Sequence, residues 1–249
     1  PVLGGDVAAM YVDDRDDVWI GADDGQLNYI AAGTAAARTL CETAAPAFAF
    51  TADAESVYCA TPGEVIRVGK QDGRVDRLPG GAAPLTALVA DTVRRTVYAG
   101  SRSGELFRVS GDRLARLDPK GARPHRIRNL AADSHGIVWV TSAETGITRY
   151  NPSTDDYKHF EQEPYTVSYN VDTNTKIAEG GGLLWVKMNN WGFGYYDRER
   201  DTVEPFYNDP KQPNCQMTNA VVRFDVHDDV LWLSTYNERG LRKAVLLRQ

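Results

Sequence analysis

The chain has 249 residues, 42% of them hydrophobic and 25% charged, with a formal net charge of −6. This balance excludes a disordered segment and supplies enough apolar material for one large core. The acidic excess argues against a nucleic-acid ligand, which needs a concentrated basic face, and no apolar run approaches the roughly 18–20 residues that span a bilayer.

Pro1 to Gly5 has neither an initiator Met nor a charged n-region, so the sequence reads as a mature or excised segment. From there a short aromatic strand recurs: Val18-Trp19-Ile20-Gly21, Val57-Tyr58-Cys59-Ala60, Val97-Tyr98-Ala99-Gly100, Val138-Trp139-Val140-Thr141, Leu184-Trp185-Val186-Lys187 and Leu231-Trp232-Leu233-Ser234. The aromatics Trp19, Tyr58, Tyr98, Trp139, Trp185 and Trp232 are spaced by 39, 40, 41, 46 and 47 residues. A steady period of this size marks a repeat architecture.

Other features keep the same phase. A polar turn precedes each aromatic strand, as at Asp13 to Asp17, Asp53 to Ser56 and Asp133 to Gly136. An apolar strand precedes that turn: Ala8 to Val12, Ala47 to Phe50, Thr86 to Val89, Ile127 to Ala132, Val221 to Phe224. Gly25, Gly63, Gly104, Gly146, Gly192 and Gly240 follow the aromatics and open a third strand, each at a hairpin tip that calls for positive φ. A fourth strand is predicted at Arg74 to Leu78, Arg113 to Leu117, Tyr157 to Phe160 and Val203 to Tyr207. Helical periodicity is absent.

Units of four antiparallel strands, about 40 residues each and repeated six times, predict an all-β fold, the β-propeller. The repeats span roughly 6–43, 44–80, 84–119, 126–163, 177–210 and 217–249, as one domain or a propeller fragment. The last unit runs out after Leu241 to Leu247, before an outermost strand; Pro1 to Gly5 is the segment placed to supply one. Six blades, or six of a seven-bladed ring, both fit.

The best-formed copy, Asp133-Ser134-His135-Gly136-Ile137-Val138-Trp139 followed by Gly146-Ile147-Thr148-Arg149-Tyr150-Asn151, resembles the two-component regulator propeller repeat. Gly192 to Asp197 (GFGYYD) follows the pattern more loosely, and Tyr58 and Tyr98 replace its Trp. The resemblance implies a sensor segment on the periplasmic or extracellular side of a hybrid two-component histidine kinase, reading carbohydrate breakdown products. It also implies a membrane link only through flanking segments, and a homodimeric parent receptor. The repeat is similar to that of virginiamycin B lyase-like propellers as well.

Candidate binding residues gather where the later units lengthen. The second-to-third-strand loops grow at Asn189, Asn190 and Trp191 and at Tyr236, Asn237, Glu238 and Arg239; the crossing from Gln162 to Lys176 brings Tyr165 and Tyr169. Aromatic faces interleaved with amides and charges suit an oligosaccharide, and loops on a rigid scaffold are where binding tends to sit. No catalytic constellation, metal-ligand spacing or cofactor motif is legible, so none of these is expected. Asp13-Asp14-Arg15-Asp16-Asp17 lacks the alternation of a calcium loop and reads as a solvated turn. The run Arg123 to Arg128 (RPHRIR) is too short to be a nucleic-acid surface. Cys41, Cys59 and Cys215 read as buried thiols rather than a disulfide framework, with a Cys41–Cys59 bridge as the alternative. The expectation is therefore a non-catalytic ligand sensor. A metal-dependent lactonase or lyase and a protein-interaction scaffold are the alternatives.

Overall fold

In a computed structural model, residues 5–142, 146–160, 177–187, 193–206, 211, 221–227, 230–235 and 241–245 are described. They form six antiparallel sheets whose strands are consecutive in the chain. Blade 1 comprises Val7–Val12, Val18–Ala22, Gln26–Ile30 and Ala37–Glu42; blade 2 comprises Ala49–Ala52, Ser56–Ala60, Glu64–Gly69 and Val75–Pro79. Blade 3 comprises Leu85–Asp91, Thr96–Ser101, Leu106–Ser110 and Arg113–Arg116; blade 4, Ile127–Ala132, Val138–Ser142, Gly146–Asn151 and Asp156–Phe160. Blade 5 comprises Ile177–Gly180, Leu183–Lys187, Phe193–Asp197 and Thr202–Phe206. Blade 6 shows three strands among the described residues, Val221–His227, Val230–Thr235 and Leu241–Val245. The first strands of consecutive blades lie side by side along a common axis, blade 1 beside 2, 2 beside 3, 3 beside 4 and 5 beside 6. No described residue is helical.

The strands alternate between two buried faces, and each seam between blades is a separate apolar cluster. In blades 1 to 5 the aromatic of the second strand packs against the next blade. Trp19 meets Ala47, Val57 and Cys59; Tyr58 meets Leu88 and Phe107; Tyr98 meets Leu130 and Val140. Trp139 meets Leu184, Val186 and Tyr196, and Trp185 meets Phe224 and Leu233. The Trp139 and Tyr196 rings cross edge-on at 4.7 Å, a geometry worth about 1 kcal/mol beyond area burial. Gly21 and Gly100 let the chain entering another blade press close. A Cβ on Gly21 would sit 2.5 Å from the Ala47 side chain, and one on Gly100 would sit 2.6 Å from that of Ile127.

Among the described residues no cluster joins blade 6 to blade 1. Leu88, Leu130 and Phe224 are 7%, 4% and 3% exposed at the first-strand position where blade 1 has Met10, at 64%. Asn28 lies in the same cross-strand row as Met10; its Oδ1 accepts from Thr39, and its Nδ2 has no partner among the described residues.

The polar turns between first and second strands are built on one carboxylate. Asp13 Oδ1 accepts from the amides of Arg15 and Asp17, while its Oδ2 accepts from Trp19 Nε1 at 3.0 Å. Asp133 repeats this with His135, Ile137 and, at 2.9 Å, Trp139 Nε1. Where the aromatic is Tyr58, one residue nearer in sequence, Asp53 Oδ2 accepts its hydroxyl at 2.8 Å. Blade 5 has no such acid, and the Gly180 carbonyl takes the Trp185 indole instead. The acidic run at Asp13 to Asp17 is solvated only in its middle, where Asp14, Arg15 and Asp16 are exposed. Asp13 is 5% exposed, and Asp17 accepts from the Tyr29 hydroxyl and the Ala32 amide.

A second lock closes the turns between third and fourth strands. Asp155 and Asp201, both with left-handed backbones (φ 52 and 54), accept the hydroxyls of Tyr150 and Tyr196. Asp201 also receives Arg149 through Nε and Nη2 at 3.0 and 2.8 Å and Lys158 Nζ at 2.8 Å, both from blade 4.

Gly25, Gly104 and Gly146 adopt the positive φ expected of them; Gly63 does not. Its turn, Pro62-Gly63, is closed by the Thr61 amide donating to the Glu64 carbonyl and the Thr61 hydroxyl accepting from the Glu64 amide, with φ fixed negative at Pro62. Cys41 and Cys59 are free thiols, and burial pushes the Cys59 thiol up to about 12, which leaves it inert.

Burial pushes the Asp201 carboxyl upward, but hydrogen bonds from Arg149, Lys158 and Tyr196 outweigh it and hold the group well below the usual carboxylate range. A depressed folded pKa stabilises above the unfolded pKa, and the contribution is lost as pH falls through the folded value. Asp201→Asn should therefore cost about 2 kcal/mol at pH 7. The gap to the parent chain should narrow between about pH 5 and pH 2. Urea midpoints across that range measure both.

Candidate functional site

The two ends of the blades differ in how their polar groups are used. At the end carrying the first-to-second and third-to-fourth turns, side chains staple one blade to the next. Lys70 Nζ reaches Asp14 across the seam between blades 1 and 2, and Arg67 Nη1 donates to the Gly111 carbonyl across the next. Arg94 donates to the Gly136 carbonyl and, at 2.7 Å, to Ser153 Oγ.

The strongest acidic cluster lies at this end, between blades 4 and 5. Ligand atoms of Asp133, His135 and Glu179 all lie within 4.8 Å of one another, the one such group among the described residues. Three donor residues would suit a divalent cation by chemistry, but Arg198 already stands between the two acids. Its Nη1 donates to Asp133 Oδ2 at 3.0 Å and its Nη2 to Glu179 Oε1 at 2.9 Å. Asp133 has about four lone-pair directions. It spends all of them on His135 N, Ile137 N, Trp139 Nε1 and Arg198. Glu179 is held in turn by the Ser134 amide and hydroxyl. The cluster is a charge-compensated staple.

The opposite end carries the second-to-third turns and the crossings between blades. Here the first strand repeatedly gains one residue as it starts. Leu85 and Ala87 pair with Ser101 and Gly100, leaving Thr86 extra; Ile127 and Asn129 pair with Ser142 and Thr141, leaving Arg128 extra. Blades 1 and 6 slip in the same way at Ala8 and Val222. A bulge re-aims side chains and often borders a functional site. In blade 3 it serves packing, because the Thr86 hydroxyl donates to the Ile127 carbonyl at 2.6 Å. In blade 4 it exposes Arg128 and Asn129 on the innermost strand. Just before it, Arg126 has φ 46, an uncommon and costly conformation outside glycine.

Close contacts bring the neighbouring turns onto this rim. The blade 3 turn abuts the crossing, since a Cβ on Gly104 would run into the Pro124 carbonyl. Ser142, where blade 4 enters its own turn, donates to the His125 carbonyl. Arg102, His125, Arg126, Arg128 and Asn129 are all exposed there. Sequence reasoning noticed RPHRIR but weighed it only as a nucleic-acid surface. The bulge that turns it into a rim leaves no mark in composition.

Trp191, Asn189, Asn190, Tyr236, Asn237, Glu238, Arg239, Tyr165 and Tyr169 lie outside the described residues. Trp19, Tyr58, Tyr98, Trp139 and Trp185 are buried in seams, and Trp232 is half-buried. His135 is exposed beside the staple, and His227 is exposed at the end of its strand.

Known structures share the architecture. Virginiamycin B lyase from Staphylococcus aureus matches with a TM-score of 0.67 at 13% identity, over 95% of this chain and 83% of that one. The computationally designed Ika8 protein matches with a TM-score of 0.69 at 15% identity, over 98% of this chain and 73% of that one. The fold is that of a β-propeller. The extracellular domain of a protein assigned as a one-component system from B. thetaiotaomicron also matches, with a TM-score of 0.54 at 13% identity. That match covers 95% of this chain and 38% of the other. No protein-family model matches the sequence, and no curated protein matches it. Among the described residues no helix is long and apolar enough to cross a membrane.

Arg198→Ala leaves two neighbouring carboxylates without their cation. It should destabilise the chain by about 2 kcal/mol in urea unfolding. Millimolar Mn²⁺ should restore part of that loss in the variant while leaving the parent's melting temperature unchanged.

Proposed function

We propose that the chain is a non-catalytic ligand-sensing propeller of an extracytoplasmic two-component receptor, recognising a carbohydrate or another small extracellular ligand. The observation that carries this reading is the fold shared, over 95% of the chain, with the extracellular domain of a one-component system. The Asp133 and Gly146 repeat supports it in sequence. The division of labour between the two ends supports it physically: one is consumed by staples, while the other presents exposed polar groups on a rigid frame, as a binding face requires. Signal transfer then belongs to flanking segments, and a homodimeric parent receptor fits this role.

The similarity to virginiamycin B lyase favours a second reading, a metal-dependent lyase or lactonase. The two readings separate on a melting curve. A sensor is stabilised by its ligand through mass action, by about 2.7 kcal/mol at a hundredfold excess over Kd. For a chain of this size that is roughly 5–10 °C. Screening a panel of acidic and neutral oligosaccharides should give at least one such shift, independent of EDTA. A panel without any shift removes the sensing reading. A melting temperature that rises with Mg²⁺ and falls with EDTA selects the lyase.

A further inference from the structure

We propose that the rim between blades 3 and 4 binds the carboxylate of an acidic saccharide, with Arg102 and Arg128 as the recognising cations. This rests on the sensing reading above and narrows its ligand to a charge class.

The argument begins with how cations are used elsewhere in the chain. On the stapled end Arg67, Lys70, Arg94, Arg149, Lys158 and Arg198 all hold acceptors across a seam. On the rim end Arg77 is paired with Glu64 and Arg116 with Glu105. Arg102 and Arg128, like Arg95, Arg108 and Arg113 in blade 3, hold no such acceptor among the described residues, but these two lie on adjoining elements of the rim. Both are exposed, and neither has a carboxylate or side-chain hydrogen-bond partner among the described residues. In a chain of net charge −6, acids are plentiful. Two unpartnered guanidinium groups on adjoining elements therefore form a local field opposite in sign to that of the whole molecule.

The backbone places them there. Arg102 is in the second-to-third turn of blade 3, which lies against Pro124 and His125. Arg128 is the extra residue of the blade 4 bulge, close behind the left-handed Arg126. A guanidinium matches a carboxylate in a planar, two-bonded pair that no neutral hydroxyl reproduces. The same rim offers groups for sugar hydroxyls. Asn129 uses its Oδ1 on the Leu130 amide, which leaves the amide nitrogen as a donor, and His125 is exposed beside it.

The test is isothermal titration of the parent chain with trigalacturonate and with maltotriose, a neutral sugar of the same length, at low and high NaCl. Binding of trigalacturonate alone, weakening as salt rises, is expected. Arg102→Gln with Arg128→Gln should lower its affinity about tenfold or more. Arg95→Gln with Arg113→Gln, the same charge change at the stapled end, should leave it unchanged. An unaltered melting temperature checks that each variant is folded, and the salt response of the parent chain tests the charge contribution without any variant. Equal binding of maltotriose, or trigalacturonate affinity that survives the rim variant, overturns the proposal. If neutral oligosaccharides bind and trigalacturonate does not, the charge class is wrong and the sensing reading stands. If no saccharide of either kind binds, both fall.

Discussion

In blades 1, 2 and 4 the architecture depends on one carboxylate in the turn before the second strand. A short antiparallel sheet cannot bury both faces alone, so each blade must offer its neighbour a flat, fixed apolar surface. The indole or phenol of the second strand provides that surface, but its polar atom must be satisfied inside the seam. Asp13, Asp53 and Asp133 do this while their remaining oxygen organises the preceding turn. One side chain thus couples the turn, the strand and the seam. Where the acid is missing, in blade 5, a backbone carbonyl substitutes and the same aromatic position is kept.

Electrostatics reinforces this most heavily at one end, although Arg77 also ties blade 2 to the Glu42 carbonyl of blade 1 at the other. Arg149 and Lys158 converge on Asp201, and Arg198 spans Asp133 and Glu179, so blades 4 and 5 are tied by cations at two places. Those charges are spent on structure, which is why a cluster with the donor set of a metal site reads as a staple. The other end follows a different rule. Its backbone bends through bulges, and at blade 4 the bent residue is an arginine without a side-chain partner among the described residues. A rigid frame with uncommitted polar groups at one end is the physical basis for assigning recognition to that end.

Much of the fold was legible beforehand because a repeat reports itself six times. The period of the aromatics, the alternation of the strands and the glycines at hairpin tips each predicted elements that the structure shows within a residue or two. The departures are instructive. Gly63 was expected to need positive φ, but Pro62 holds a negative φ beside it and the Thr61 hydroxyl accepts from the Glu64 amide, so the turn closes without a left-handed residue. Asp14 and Asp16 are exposed as a solvated turn requires, but Asp13 and Asp17 are not: sequence shows charge and not its partner, and Trp19 and Tyr29, further along the chain, supply those partners. The nine loop residues singled out for binding lie outside the described residues, and the rim was missed because a one-residue slip in register has no compositional signature.

What the sequence by itself determined was the class of architecture: an all-β chain of six repeated units of short antiparallel strands, each with an aromatic in phase. Local hydrophobic period and turn chemistry suffice for that, since every repeat obeys the same short-range rules. Only the tertiary structure decided which charges are spent and which are free. Asp133 meets Arg198, 65 residues away, and Arg149 meets Asp201 across a seam, while Arg128 meets no side-chain partner among the described residues. Those pairings depend on how one blade rotates onto the next. No local pattern encodes that rotation, because it arises from packing between units that are distant along the chain.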